Sequence, residues 1–447
     1  MANHLEKTYK IQRPDKSESW PGAREYVEML DSEPFHKAQT DYLPWDELRK
    51  KAWVGPDPKK LWWALKMARK HHSETTPVQD KEGGFYQLDT RRHLQFLHEV
   101  DLELGGNLLG IKGFSEGDKR QIIRRNLIEE SFASSKLEGA NTSREAARRL
   151  LQEGRKPRDK SERMIVNNHA AMQFIEETAK NQQMTMDLLL DLHRQVTKDT
   201  LELPELEGRF RNTFDRNGKR LVIKPWDDET IAYVTPDRAF VDEQLPRLIA
   251  FANDKGKSSF IHPLIKAIVI HFWLGLLHPF EDGNGRVARI LFYWYMLRRG
   301  YWAFSYLSLS EPILKSPGQY AMAYVNSEQD NHDLNYFIQY NVEKLKLARG
   351  DLRNFLNAKL TESRQRTKIA QGSHGLNERQ IRLLQSLHQE EASQTSVATH
   401  LNFNPDIGYV TAVTDLKQLV AQGFLRKQKV GRKVIYLPTG KVGNLLG

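Results

Sequence analysis

The chain has 447 residues, enough for two or three domains and a sizeable core. Its 39% hydrophobic and 28% charged content is ordinary for a globular protein, and the absence of cysteine excludes a disulfide framework, thiol catalysis and a zinc–thiolate centre. A formal net charge of +10 is compatible with nucleic-acid, nucleotide or acidic-protein partners and chooses among none of them.

Residues 1–105 read as an N-terminal helical region punctuated by Pro and Trp. The first seven residues lack the apolar segment of a signal peptide, so a cytoplasmic protein with no membrane partner is expected. Helices are expected over 46–51 and 58–70, with Trp62 and Trp63 as core or docking residues. Adjacent side chains diverge on a helix, so His71, His72 and Glu74 mark a solvated helix end rather than a metal site. Residues 112–117 read as a loop. A long helix then spans about 118–137 and carries Ser134 and Glu138, which lie four apart on one face, with Gly139 just beyond its end.

Residues 106–345 read as the main body. Asn141-Thr142-Ser143 with Glu145 resembles a capping box for the next helix. Further helices fit 162–180 and 184–198. Beyond Gly208-Arg209-Phe210-Arg211 the texture changes. Residues 220–223 and 230–234 read as two short strands around a turn with Pro225 and Asp227-Asp228, forming a small hairpin whose exposed edge can accept an extended segment. A strongly apolar stretch, 265–277, then runs into a polar loop, and the aromatic-rich segment 290–297 runs out of it. It contains Lys266 and His271 and is short for a membrane span.

That loop, His278-Pro279-Phe280-Glu281-Asp282-Gly283-Asn284-Gly285-Arg286-Val287-Ala288-Arg289, concentrates the chemistry. Gly283 and Gly285 reach positive φ without strain and Asn284 tolerates it, so the turn can form a backbone anion nest. A helix beginning near Gly285 or Arg286 would aim its free N–H groups and positive dipole end at the same anion. Arg286 and Arg289, three apart, share a face and can reach a polyphosphate. Asp282 is a hard ligand suited to magnesium. His278 can accept a proton near neutral pH.

This loop resembles the signature of the Fic family, H-P-F-x-[D/E]-G-N-G-R-x-x-R, at every fixed position. The resemblance implies a mainly α fold: a Fic-type helical core with a small β-hairpin flap over the active site. It implies an enzyme moving AMP from ATP to a Ser, Thr or Tyr hydroxyl of a target protein, with Mg²⁺ or Mn²⁺ as cofactor. His278 would be the base, Asp282 the metal ligand, and Gly283, Asn284 and Gly285 the anion hole. Arg286 would hold the β-phosphate and Arg289 the γ-phosphate, with Phe280 anchoring the loop. A kinase-like branch replaces the second glycine with lysine; Gly285 favours AMP transfer. Ser134 to Gly139 resembles the family's inhibitory pattern, [S/T]-x-x-x-E-[G/N], which implies that Glu138 pairs with Arg289 and blocks productive ATP binding. The inhibitory helix would span about 118–139. Tyr320, Tyr324, Asn331 and Asp333 match the family's adenosine region.

Residues 346–375 read as a helical connector and linker, ending in Gln371-Gly372-Ser373-His374-Gly375. Residues 376–440 resemble the winged helix often appended to Fic proteins. Helices fit 377–388, 393–401 and 410–422, and strands fit 424–426 and 433–437 around a wing with Lys427, Lys429, Gly431 and Arg432. The third of these helices carries Asp415 and a single lysine, Lys417, so protein docking or homodimer support ranks above DNA binding. Self-modification accompanies the transferase reading. The alternatives are a DNA-binding regulator that uses the Fic domain as a nucleotide sensor, and a de-AMPylating activity in which Glu138 aligns a water.

Overall fold

The computed structural model describes residues 7–15, 21–106, 116–227, 229–255, 260–371, 375–389, 394–430 and 433–446. Helix dominates them, in agreement with the mainly α class expected. The body is built from α1 (Glu116–Leu137), α2 (Arg144–Glu153), α3 (Lys160–Glu177), α4 (Met186–Thr197), α5 (Arg238–Ala252), α6 (Pro263–Leu277), α7 (Asn284–Arg298), α8 (Pro317–Gln329) and α9 (Asn335–Gln371).

Helices α6 and α7 form the centre because neither has a polar side to offer water. Every residue of α6 except Pro263 and Gly275 is buried, and every residue of α7 except Gly285 and Arg298. A helix apolar all round must be enclosed, and α3, α5 and α9 pack around this pair. Pro263 opens α6 where its missing N–H costs nothing, and the His262 ring accepts from the Leu264 N–H at 3.1 Å. Each large apolar side chain buried here contributes about 1.5–3 kcal/mol. A charge in such a core must be hydrogen-bonded to be tolerated, which constrains Arg286 and Arg289 strongly.

Helix α1 ends as its sequence suggests. Gly139 takes φ +89, its N–H bonds to Lys136 O at 3.1 Å, and the Ala140 N–H bonds to Ser135 O at 3.0 Å, a Schellman closure. The cap of α2 falls one residue later than expected. Ser143 is the N-cap and accepts from the Ala146 N–H at 3.2 Å, so Glu145 does not occupy the reciprocal position of a capping box.

The expected hairpin is shorter and more divided than its residues implied. β4 (Val222–Ile223) pairs antiparallel with β6 (Tyr233–Val234), while β5 (Thr230–Ile231) pairs in parallel with β1 (Lys7–Thr8). The edge read as exposed is thus covered by the chain's own N-terminal segment. Asp228 in the turn lies outside the described residues.

The N-terminal region is not purely helical. The helix Pro58–His72 matches its expected stretch, the one expected over 46–51 is a single turn, Trp45–Leu48, and β2 (Glu74–Gln79) and β3 (Phe85–Leu88) form an antiparallel hairpin. Val78, Tyr86 and Leu88 of that hairpin join the core of α6 and α7. Residues from Phe35 to Ala68, with Trp62 fully buried, make a satellite cluster closed by Tyr336 of α9. The seam is polar: Lys66 Nζ lies 3.1 Å from Asp330 Oδ2 and 3.4 Å from Asp333 Oδ2, and the Tyr42 hydroxyl donates to Asp333. Most of the loop expected at 112–117 lies outside the described residues.

The connector is not a separate element: α9 is one 37-residue helix that leaves the core and runs to Gln371. Residues 372–374 of the expected linker lie outside the described residues. Beyond them α10 (Glu378–Gln389), α11 (Val397–Phe403) and α12 (Tyr409–Ala421) pack with the hairpin β7 (Leu425–Val430) and β8 (Lys433–Pro438) around a core of their own. Thr395 bridges to Tyr436, adding a third short pairing. Lys427 and Lys429 lie in β7, while Gly431 and Arg432 lie outside the described residues. Asp415 is buried and bound by Arg379, Asn377 and His400, so its charge is internal to this unit rather than on an outer face.

Candidate active site

The loop between α6 and α7 turns at Gly283, which the sequence marked for positive φ, and at His278, which it did not. His278 itself takes the left-handed conformation, φ +45, and Gly283 follows at φ +84. Asn284 and Gly285 are helical, because α7 starts at Asn284. Asn284 is buried and works as a clasp: its side-chain oxygen accepts from the Phe280 N–H at 2.9 Å and its amide donates to Phe280 O at 2.8 Å. Gly283 caps α7 without a side-chain hydrogen bond, so the first-turn N–H groups of α7 have no side-chain cap.

The His278 ring points its Nδ1 at Gly275 O, 3.3 Å away. With the proton on Nδ1, Nε2 carries the free lone pair. Burial, helped by Arg211 and opposed by the Gly275 contact, lowers the imidazole pKa to about 4, so the ring is neutral at pH 7.

Arg289 is enclosed and held along its Nε and Nη2 side. Its Nε donates to Ser134 Oγ at 2.9 Å, and its Nη2 to Ser134 O at 2.9 Å and to Glu138 Oε1 at 3.0 Å. Burial works against the charge, but Glu138 opposite, together with Tyr320 and Glu130, outweighs it and holds the pKa above the ordinary arginine value. The Glu138 carboxylate lies against Gly285: a Cβ there would collide with Glu138 Oε1 and sit 3.0 Å from Arg289 Nη1. Gly285 therefore serves close approach rather than positive φ.

Arg286 points elsewhere. Its Nη1 donates to Val196 O at 2.7 Å, its Nη2 reaches Asp282 Oδ1 at 3.4 Å, and its Nε is buried without a partner. Asp282 is 40% exposed at the side chain. Among the described residues no cluster of three or more His, Cys, Asp or Glu forms a metal cage. A lone carboxylate suits magnesium only when substrate phosphates supply further oxygens.

Two supporting residues escaped the sequence reading. His193 stacks on Phe280 with ring centroids 3.8 Å apart; its Nε2 donates to Asp282 O at 2.9 Å and its Nδ1 accepts from the Gly208 N–H. Its only signal was a lone histidine on the apolar face of Leu189, Leu192 and Val196. Arg211 donates from Nε to His278 O at 2.7 Å and from Nη2 to Pro236 O at 2.9 Å, and its N–H bonds to Pro279 O. Nothing local distinguishes it from exposed Arg209.

A cavity of about 390 Å³ gathers part of this set. Glu138, His278, Asn284, Gly285 and Arg289 form its polar side; Ile223 and Tyr233 of the hairpin and Tyr320 and Tyr324 of α8 help form the rest. The Tyr233 hydroxyl donates to Leu276 O at 2.8 Å, tying hairpin to core. Asp282, Gly283 and Arg286 are not among its lining residues. Asn331 and Asp333 lie away from it, bound to Arg13 and to Tyr42 and Lys66. No helix among the described residues is long and apolar enough to cross a membrane.

Residues 183–296, from just before α4 to the last turn of α7, match the Fic/DOC family. The chain carries a Fic domain. Around it, the chain is 28% identical over 188 residues to the protein adenylyltransferase fic-1 of Caenorhabditis elegans, covering 41% of this chain and 34% of that protein. It is 29% identical over 225 residues to the protein adenylyltransferase Fic of Culex quinquefasciatus, covering 48% and 38%. The chain thus spans between a third and two fifths of these curated relatives' length. A solved fragment of Fic-1 from C. elegans shares the fold of the Fic domain and its surroundings, with a TM-score of 0.50 at 20% identity, covering 73% of this chain and 84% of that one.

Proposed function

We propose that the chain is a protein adenylyltransferase, moving AMP from ATP to a target hydroxyl, and that Glu138 restrains it. The observation that carries this reading is one cavity with three groups on it: a neutral imidazole, a helix N-terminus with no side-chain cap, and an arginine held by a carboxylate. The names of the curated relatives support the same reaction.

In this reading His278 Nε2 takes the proton of the target hydroxyl as its oxygen attacks the α-phosphorus. The bond from that phosphorus to the pyrophosphate oxygen breaks, and pyrophosphate leaves in line. The Gly275 carbonyl and Arg211 keep the base oriented from behind. The Asn284 and Gly285 end of α7, with its dipole, would face the phosphates. Asp282 would hold Mg²⁺, which offsets phosphate charge when bound. Arg286, with one buried N–H unpartnered, supports the β-phosphate side, and Arg289 would meet the γ-phosphate once released from Glu138. The apolar wall with Tyr320 and Tyr324 suits a nucleoside. The C-terminal unit, read as a winged helix, is assigned to docking or dimer support.

The test is labelling of a cell lysate with α-labelled ATP by the wild type, Glu138→Gly and Glu138→Gly/His278→Ala. Labelled target bands are expected with Glu138→Gly and none with the double variant. Equal labelling by the double variant would remove His278 from the chemistry.

A further inference from the structure

The C-terminal unit meets the body across a cavity rather than a closed apolar seam. This space of about 390 Å³ is walled by α1, by α10 and by the turn that joins α11 to α12. No residue lines both it and the cavity at His278. Its volume falls within the roughly 300–1,000 Å³ of small-molecule sites.

Four arginines line it: Arg120 and Arg124 from α1, Arg379 and Arg382 from α10. Helical spacing makes this grouping costly. Arg120 and Arg124 are four apart and Arg379 and Arg382 three apart, so each pair sets like charges side by side on one helix face. Arg379 and Arg382 also lie in the first two turns of α10, near its positive dipole end. Nearby carboxylates answer only part of this charge. Asp406 pairs with Arg120, and buried Asp415 takes Arg379 at 2.9 Å. Arg124 rests instead on the Phe403 ring, 5.7 Å from its centroid, and among the described residues no carboxylate pairs with it. Burial pulls its pKa below the ordinary arginine value with nothing opposing. A guanidinium stays charged at pH 7, so that desolvation is offset only when an anion arrives.

The walls belong to two parts of the chain that other contacts already join. The Asn402 amide donates to Gln152 O of α2, and Lys433 Nζ lies 4.0 Å from Glu153. From Arg120, α1 runs unbroken to Ser134, roughly 21 Å along the helix, where Ser134 holds Arg289.

We propose that this cavity is an anion site that takes the diphosphate group of a small molecule, and that its occupant clamps the C-terminal unit onto α1. An arginine pair on each of two walls suits an anion with two linked tetrahedral groups, because each planar fork can take one of them bidentately. Such a group comes free, as pyrophosphate, or as part of a nucleotide. The site stands whether or not His278 transfers AMP.

The test is calorimetry on the full chain with inorganic pyrophosphate, at fixed ionic strength and without ATP. Wild type is compared with Arg124→Gln/Arg382→Gln, and the binding that this pair loses belongs to the cavity, since neither arginine lines the site at His278. One pyrophosphate per chain is expected there in wild type, and affinity at least about tenfold weaker in the glutamine pair. Arg124→Lys/Arg382→Lys keeps the charge without the fork and should bind about three- to tenfold more weakly than wild type, which keeps the test decisive if the glutamine pair misfolds. ADP and orthophosphate are titrated alongside. ADP equal to pyrophosphate assigns the diphosphate group as such, ADP tighter a nucleotide, and ADP weaker the free ion; orthophosphate equal to pyrophosphate would overturn the diphosphate assignment. Saturating pyrophosphate should slow hydrogen exchange in residues 119–126 and 402–407 of wild type and leave the glutamine pair unchanged. Equal pyrophosphate affinity in all three proteins, or unchanged exchange in wild type, would overturn the proposal. Because label transfer is not the readout, this failure is distinct from a failure of AMP transfer.

Discussion

Glu138→Gly separates a charge from its partner without orphaning that partner. The Arg289 side chain is 1% exposed and that of Glu138 21%, with the ion-pair atoms 3.0 Å apart. Close charge pairs in such settings couple by about 1.5–7 kcal/mol, and ~2–4 kcal/mol is a fair figure for a pair with one partner partly open. At ~1.4 kcal/mol per factor of ten, removal changes the ratio of free to engaged Arg289 by roughly 30- to 900-fold. A population with ~1% of Arg289 free would then have roughly a quarter to nine-tenths free. The fold should tolerate this, because Arg289 keeps both Ser134 acceptors and position 138 lies at a helix end beside Gly139. A stability loss of roughly 1–3 kcal/mol is expected. Glu138→Gln discriminates charge from occupancy: its amide still crowds Gly285, so it should activate less than glycine does. The assay is the initial rate of label transfer from α-labelled ATP at matched ATP and Mg²⁺, with denaturant unfolding as control. Rates within twofold for wild type and Glu138→Gly, while His278→Ala in the Glu138→Gly chain still abolishes transfer, would refute the restraint and leave the chemistry standing.

Other consequences follow from neighbouring groups. His278→Ala in the Glu138→Gly background should lose at least a hundredfold in transfer, about the contribution of one general base, with ATP affinity by calorimetry within a few-fold. The depressed His278 pKa of about 4 keeps the base neutral well into acid, so transfer should not halve near pH 6.5; an acid limb at that pH would contradict the burial argument. Arg211→Ala leaves the carbonyls of His278 and Pro236 without their donor, so transfer should fall more than tenfold and stability by about 2–4 kcal/mol, and Arg211→Lys should not restore either, since lysine lacks the planar fork. Burial raises the Glu328 carboxyl from 4.5 to about 7, with Asp80 and Glu82 adding to it against Lys81. The folded state therefore holds a proton that the unfolded chain has lost, so stability from this group falls as pH rises from about 4.5 to about 7 and is level above. Glu328→Gln should flatten that slope by on the order of 3 kcal/mol between pH 4.5 and 8 in denaturant unfolding; an unchanged slope would assign it to other groups.

Local chemistry makes much of this protein legible in its sequence alone. Stretches apolar on every side could only be a buried helix pair, and the polar loop between them had to sit at their joint. Glycine at 139 ended α1 by the conformational freedom that residue alone supplies cheaply. The spacing of Ser134 and Glu138 put both on one face, and both meet Arg289. What depended on distant partners stayed hidden. Gly285 looked like a turn glycine, but its missing side chain makes room for a carboxylate from another helix, a constraint invisible in the loop itself. Asn284 looked like part of a nest and is a clasp; His278 takes the strained φ instead, held by Arg211 from 67 residues away. His193 and Arg211 have ordinary neighbours and acquire meaning only where the fold brings their donors to the loop's carbonyls. The hairpin edge read as open is closed by residues more than two hundred positions earlier, because a strand's backbone pairs with whatever the tertiary fold delivers and carries no local sign of which segment that will be.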